Sequence, residues 1–152
     1  MLAEYLATHH RAAKTIQRVR LGPLEHTVPD PTLTEAERKL IGAAWRRWAD
    51  AVLIEPDALT VVEAAMVPDP GDVSRLATYL KLVPSTPELA PYRERALRGL
   101  LVWGVDDPFS RQVALEHGLV VEIFRPSHWL QFLSVKRARE TGAPRASQVL
   151  LV

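Results

Sequence analysis

Apolar residues gather in two short runs, Ala51-Val52-Leu53-Ile54 and Leu59-Thr60-Val61-Val62, with Glu55-Pro56-Asp57-Ala58 between them. Such runs around a turn-forming group predict two antiparallel strands joined as a hairpin. Asp50 opens the first strand, and Glu63 ends the second among Val61, Val62, Ala64 and Ala65. A carboxylate in so apolar a setting needs a metal ion, a hydrogen-bond donor or a cationic partner to offset its desolvation. After Pro68-Asp69-Pro70-Gly71, the residues Val73, Leu76, Ala77, Leu80 and Val83 recur at helical spacing and predict a helix.

Upstream, Tyr5, Ala12, Ile16 and Val19 lie at spacings of seven, four and three, opposite Arg11, Lys14 and Arg18. The spacing predicts one helix from Leu2 to Arg20 with a basic stripe. Gly22-Pro23 stops it, and residues 22–33, with three prolines, read as a loop. Thr34 as N-cap and Glu37 as its capping-box partner predict a second helix running into Trp45, with Leu40, Ile41 and Ala44 as its buried stripe. Trp45 and Trp48 would cover the start of the hairpin as core and rim packing.

Downstream, Ser85 to Pro91 reads as a connection, and Leu100 to Val105 as a buried strand. A helix from Pro108 to His117 should end at Gly118, followed by a strand from Leu119 to Phe124. Ser127 would cap a last helix that turns Trp129, Leu130, Phe132 and Leu133 inward and ends near Gly142. Helix, helix, hairpin, helix, strand, helix, strand, helix predicts one α/β domain with a mixed sheet and flanking helices. The parts are a basic helix and proline-rich loop over 1–33, a core over 34–141 and an apolar tail over 142–152.

At 152 residues and 47% hydrophobic composition, one ordinary domain is the expectation. The formal net charge is only +1, but 16 of the 18 acids lie between Glu25 and Glu122, while Lys and Arg crowd the ends. Basic ends around an acidic middle could grip a polyanion or be solvated faces. With no cysteine, disulfides, thiolate metal sites and a cysteine nucleophile are excluded. No apolar run nears the ~20 residues of a membrane span, so a soluble, cytoplasmic protein with no membrane partner is expected. Val149-Leu150-Leu151-Val152 would be poorly placed in water and is expected to join the core or bind a protein partner or second copy.

Most catalytic signatures are missing: no glycine-rich phosphate loop, no Gly-x-Ser-x-Gly elbow, no His-Glu-x-x-His, and five histidines without metal-ligand spacing. What remains is Asp50, a short hairpin and Glu63-Ala64-Ala65. An acid opening a strand, a strand ending Val-Val-Glu-Ala-x, a Pro/Gly loop and a helix carrying Leu76 and Tyr79 resemble the PD-(D/E)XK nuclease superfamily. So do Phe109 to Ala114, Gly118 to Val121 and the Trp129-Leu130-x-Phe132-Leu133 pattern; the similarity covers about residues 34–133.

The resemblance implies a restriction-endonuclease-like core in which Asp50, Glu63 and the Ala64 carbonyl hold Mg²⁺ or Mn²⁺. Where the superfamily carries its catalytic lysine, this chain has Ala65, and Arg75 stands where a glutamine is common. The implied function is therefore a degenerate nuclease fold, without a cofactor, in a structural or DNA-associated role such as a phage head-completion, head-tail connector or mobile-element component, and hence a place in a virion. The alternative is an active Mg²⁺-dependent endonuclease or exonuclease in which Lys81 is recruited from the helix, or Arg75 lends its charge. Arg11, Lys14, Arg18, Arg46, Arg47 and Arg75 are the candidate DNA contacts.

Overall fold

The computed structural model describes residues 1–24, 28–44 and 46–140. The chain runs α1 (Leu2–His9), β1 (Lys14–Leu21), α2 (Glu35–Ala44), β2 (Arg47–Ile54), β3 (Ala58–Ala65), α3 (Pro70–Leu82), two short 3₁₀ turns, β4 (Ala96–Trp103), α4 (Pro108–Glu116), β5 (Val120–Ile123) and α5 (Trp129–Glu140). Five strands form one sheet in sequence order. β1, β2 and β3 pair antiparallel, and β3, β4 and β5 pair parallel, with α3 and α4 as the crossovers. The mixed sheet expected from the hydrophobic pattern is the observed one.

Alternation along the central strands places the two halves of the core. Val61, Leu101 and Trp103 pack with Val73, Leu76 and Tyr79 of α3. Their neighbours Val62, Leu100 and Val102 face the other way, against Tyr5 and Leu6 of α1. The sheet is thus covered by α3 on one face and α1 on the other. Gly99 lets α3 and the residue after α4 come close, since a Cβ there would lie 2.6 Å from Leu119 and 3.0 Å from Leu80. Both crossover helices start at aspartate caps: Asp69 accepts from Gly71 N, and Asp107 from Phe109 N and Ser110 N.

Several expectations require correction. The helix predicted over Leu2 to Arg20 ends at His9; residues 14–21 are an edge strand. The misleading signal has a structural cause. Ile16 and Val19, three apart, both face α3, as do their partners Val52 and Ala49. Alternation therefore breaks between them, at Arg18, whose φ of 54° is left-handed. A strand with such a break presents residues i and i+3 on one side, as a helix does. Arg11 and Lys14 accordingly form no helical stripe: Arg11 is an exposed turn residue, and Lys14 opens β1 and donates to Tyr92 Oη at 3.0 Å.

The capping box of α2 is present, with Thr34 N bonded to Glu37 Oε2 at 2.8 Å and Glu37 N to Thr34 Oγ1 at 3.3 Å. Its supposed buried stripe is not: Leu40 is 75% exposed, Ile41 and Ala44 are exposed, and only Gly42 is buried. α2 lies beyond the sheet margin, where no described element covers that face. In α5 no residue is buried and Leu130 is 78% exposed, while Trp129, Phe132 and Leu133 are half-buried. Ser127 does not cap α5; its N–H and hydroxyl bond Glu4 of α1 instead. The expectations for Trp45, for a helix end near Gly142 and for the tail Val149 to Val152 fall outside the described residues.

Gly104 fixes where α5 starts. A Cβ there would meet the Met66 carbonyl oxygen and the Trp129 ring, each at 2.6 Å. Because one of these is backbone and cannot swing aside, Gly104→Ala should lower unfolding free energy by about 1–3 kcal/mol in urea titrations. An unchanged midpoint would show that α5 does not press on β4.

Candidate active site

The β2–β3 ladder ends at Ala51 opposite Val62. One step further, Asp50 stands across from Glu63, and here the strands part. Asp50 Oδ2 accepts the Ala64 N–H at 3.0 Å, replacing a ladder bond with a side-chain bond. On the far side of β3, the Ala65 carbonyl accepts Gly104 N at 3.0 Å, toward β4. Successive peptide groups of a strand point to opposite edges, so the Ala64 carbonyl is turned back toward β2 and Asp50. Two carboxylates and one peptide carbonyl therefore converge at the carboxyl end of β3, which is an end of a parallel strand pair where α/β folds build sites. Asp50 lies within β2, which begins at Arg47, rather than at its first position.

Glu63 is only 6% exposed. Burial foremost, then its hydrogen bond to Asp50 and the negative charge of that carboxylate, push its carboxyl up to about 8; Arg75 and the Tyr79 hydroxyl act in the opposite direction. Arg75 Nη1 lies 3.8 Å from Glu63 Oε1 and 3.2 Å from Asp72 Oδ1. Burial and the Glu63 charge raise the Tyr79 hydroxyl to about 12, so it remains a donor to Glu63. Spacings of three and four bring Asp72, Arg75 and Tyr79 to one stripe of α3. Asp72 divides its oxygens: Oδ2 accepts Asp69 N at 3.0 Å in the helix cap, and Oδ1 holds Arg75.

Of the residues singled out from sequence, the structure brings together Asp50, Glu63, Ala64 and Arg75. Lys81 is exposed, two residues past Tyr79 and so about 200° around the helix from it, away from the acids. Ala65, two residues past Glu63, carries only a methyl group. Arg46 is committed elsewhere, with Nη2 on Glu88 Oε1 at 2.8 Å and on the Arg20 carbonyl at 2.6 Å. Arg47 is exposed at the start of β2. Asp72 was not recognised from sequence, although Asp69-Pro70-Gly71-Asp72 has the cap spacing that finds it. Trp48 is 53% exposed rather than packed, with Arg18 and Arg20 over its ring.

No protein-family model and no curated protein matches the sequence. Solved structures do resemble the fold. A repair endonuclease from Pyrococcus abyssi superposes with a TM-score of 0.50 at 20% identity, over 82% of this chain and 46% of that one. EndoMS in apo form gives 0.47 at 16% identity, over 82% and 45%, and EndoMS in a complex with double-stranded DNA gives 0.47 at 15%, over 82% and 43%. The chain spans less than half the length of each. No helix among the described residues is long and apolar enough to cross a membrane.

The raised Glu63 sets a pH dependence. Between the ordinary carboxyl value of 4.5 and about 8 the folded chain binds the extra proton, so this stabilisation is complete below about 4.5 and is lost as pH rises through about 8. In EDTA, the urea midpoint should fall over that window in the wild type and fall less in Glu63→Gln. Equal pH profiles for the two proteins would refute the buried, proton-sharing pair.

With β1 to β5, α3 and the acid pair described, the architecture is that of the restriction-endonuclease-like α/β fold: a five-stranded mixed sheet flanked by helices.

Proposed function

We propose that the chain is a nuclease-like domain acting on DNA phosphodiesters, with a divalent cation held by Asp50, Glu63 and the Ala64 carbonyl and with positive charge from Arg75. The observation that carries this reading is the convergence of the two carboxylates with the Ala64 peptide where β2 and β3 separate. The donor set consists of oxygens only, which suits Mg²⁺ or Mn²⁺. Among the described residues no group of three His, Cys, Asp or Glu could hold a metal, so the protein share is two carboxylates and a carbonyl. That is sufficient for a hard cation that keeps several waters and takes phosphate oxygens as further ligands. When bound, such a cation supplies polarisation of a phosphoryl oxygen and neutralises charge on it.

The chain's own groups have separable tasks. The Ala64 N–H fixes Asp50 Oδ2, which holds the Asp50 carboxylate beside Glu63. Tyr79 and Arg75 hold Glu63 from the α3 side. The Arg75 side chain is about half exposed, at 48%, so its guanidinium borders both the acids and solvent. It can stabilise charge developing on a phosphate, although it cannot give or take a proton as a lysine could. The likeness of fold to a repair endonuclease supports DNA as the substrate.

A second reading, favoured by the methyl of Ala65, is a nuclease fold that holds DNA without cutting it, in a structural setting such as a phage head or neck. Plasmid and linear DNA with Mg²⁺ or Mn²⁺ separate the two. The first reading expects cleavage that falls at least about 100-fold in Asp50→Ala, Glu63→Ala and Arg75→Ala, and stays within about twofold of wild type in Lys81→Ala. Salt-sensitive retention of uncut DNA by the wild type would replace it with the second. Cleavage untouched by Asp50→Ala would reject both.

A further inference from the structure

The break in β1 has a second effect. By simple alternation Arg18 would follow Ile16 toward the α3 core; its left-handed backbone at φ 54° instead lets Val19 take that side. Arg18 thereby joins Arg20 on the opposite side, and both guanidinium groups lie over Trp48, at 5.8 and 5.5 Å from the ring centroid. Trp48 is the cross-strand partner of Arg20. A strained non-glycine residue in mid-strand persists only where its surroundings enforce it, and such residues gather at functional sites.

Charge distinguishes this cluster from ordinary surface packing. Among the described residues no carboxylate lies within ion-pair distance of Arg18 or Arg20. Arg20 is anchored by Nη2 on the Ala43 carbonyl at 2.9 Å, yet its Nε is buried without a partner. Nor do the arginines serve to cover the indole, which stays 53% exposed. What is assembled is an aromatic plate that orients Arg18, which forms no ion pair among the described residues, and Arg20, whose charge is felt by a Glu88 carboxylate that Arg46 already pairs.

We infer that Trp48 holds Arg18 and Arg20 as a paired grip for DNA backbone phosphates at the β1–β2 edge, on the sheet face away from α3. The inference rests on the DNA reading above but does not require cleavage. Trp48 is a positioning residue, and the arginines make the contact.

The test is binding of a short random-sequence duplex, by fluorescence anisotropy, in EDTA over a salt series. Each lost phosphate contact makes the slope of log K against log salt less steep by about 0.9. Arg18→Gly removes one guanidinium and relieves the left-handed backbone, so it should melt no lower than wild type while losing about 0.9 of slope. Arg18→Gly with Arg20→Gln should lose about 1.8. Trp48→Leu should weaken binding about tenfold with the slope retained, and Trp48→Phe should restore most of the affinity. Asp50→Asn and Glu63→Gln should keep the wild-type slope, so a chain that binds this way yet never cuts fails only the nuclease reading. No duplex binding by the wild type, or an unchanged slope in the double variant, overturns the grip.

Discussion

The hydrogen bond from the Ala64 N–H to Asp50 is the constraint on which the site depends. It forms where the antiparallel ladder stops, so a side chain takes over from the backbone and draws the start of β2 toward the end of β3. Without it, the Ala64 peptide would leave its N–H unpaired at a half-buried position. With it, Asp50 is fixed beside Glu63, and two carboxyl groups share a poorly hydrated space and a proton. The sheet makes this arrangement stable by surrounding it: Val61, Val62, Leu101 and Trp103 are fully buried on either side of the pair.

α3 answers the resulting charge from above. Asp69 and Asp72 cap its first turn, Asp72 also orients Arg75, and Arg75 and Tyr79 reach Glu63. The cap, the cation and the hydroxyl donor are thus one construction, in which the residues that start the helix also place its functional groups. The close approach needed for this is set at Gly99 on β4, where a Cβ would lie 2.6 Å from Leu119 and press on Leu80 and Leu76 at 3.0 and 3.3 Å. Packing and electrostatics therefore meet in the same helix.

Much of this was legible in the sequence because it rests on local signals. The hairpin, the Pro/Gly entry to α3, the strand before Asp106-Asp107-Pro108 and the Gly118 stop all carry turn or cap chemistry at fixed offsets. Asp50 and Glu63 could be paired because a short hairpin leaves few registers that bring its ends together. The failures have physical causes too. Ile16 and Val19 imitated helical spacing because a left-handed residue interrupts the strand alternation. Leu40, Ile41 and Leu130 have the periodicity of buried stripes, but burial depends on whether another element arrives, which no local pattern encodes. Of the two cations that the sequence offered beside the acids, Arg75 lies on their stripe of α3 and Lys81 about one helical face away.

Taken together, the side-chain bond at Asp50 and the capped helix place paired acids and a shielding arginine at one end of β3. The central claim is that the acids and the Ala64 carbonyl form a site for a divalent cation. Titration of Mn²⁺ into the protein at pH above 8, followed by electron paramagnetic resonance of the free ion, tests it most directly. The account predicts one bound Mn²⁺ per chain, lost in both Asp50→Asn and Glu63→Gln and kept in Lys81→Ala. No bound Mn²⁺, or binding that survives both acid substitutions, would contradict it.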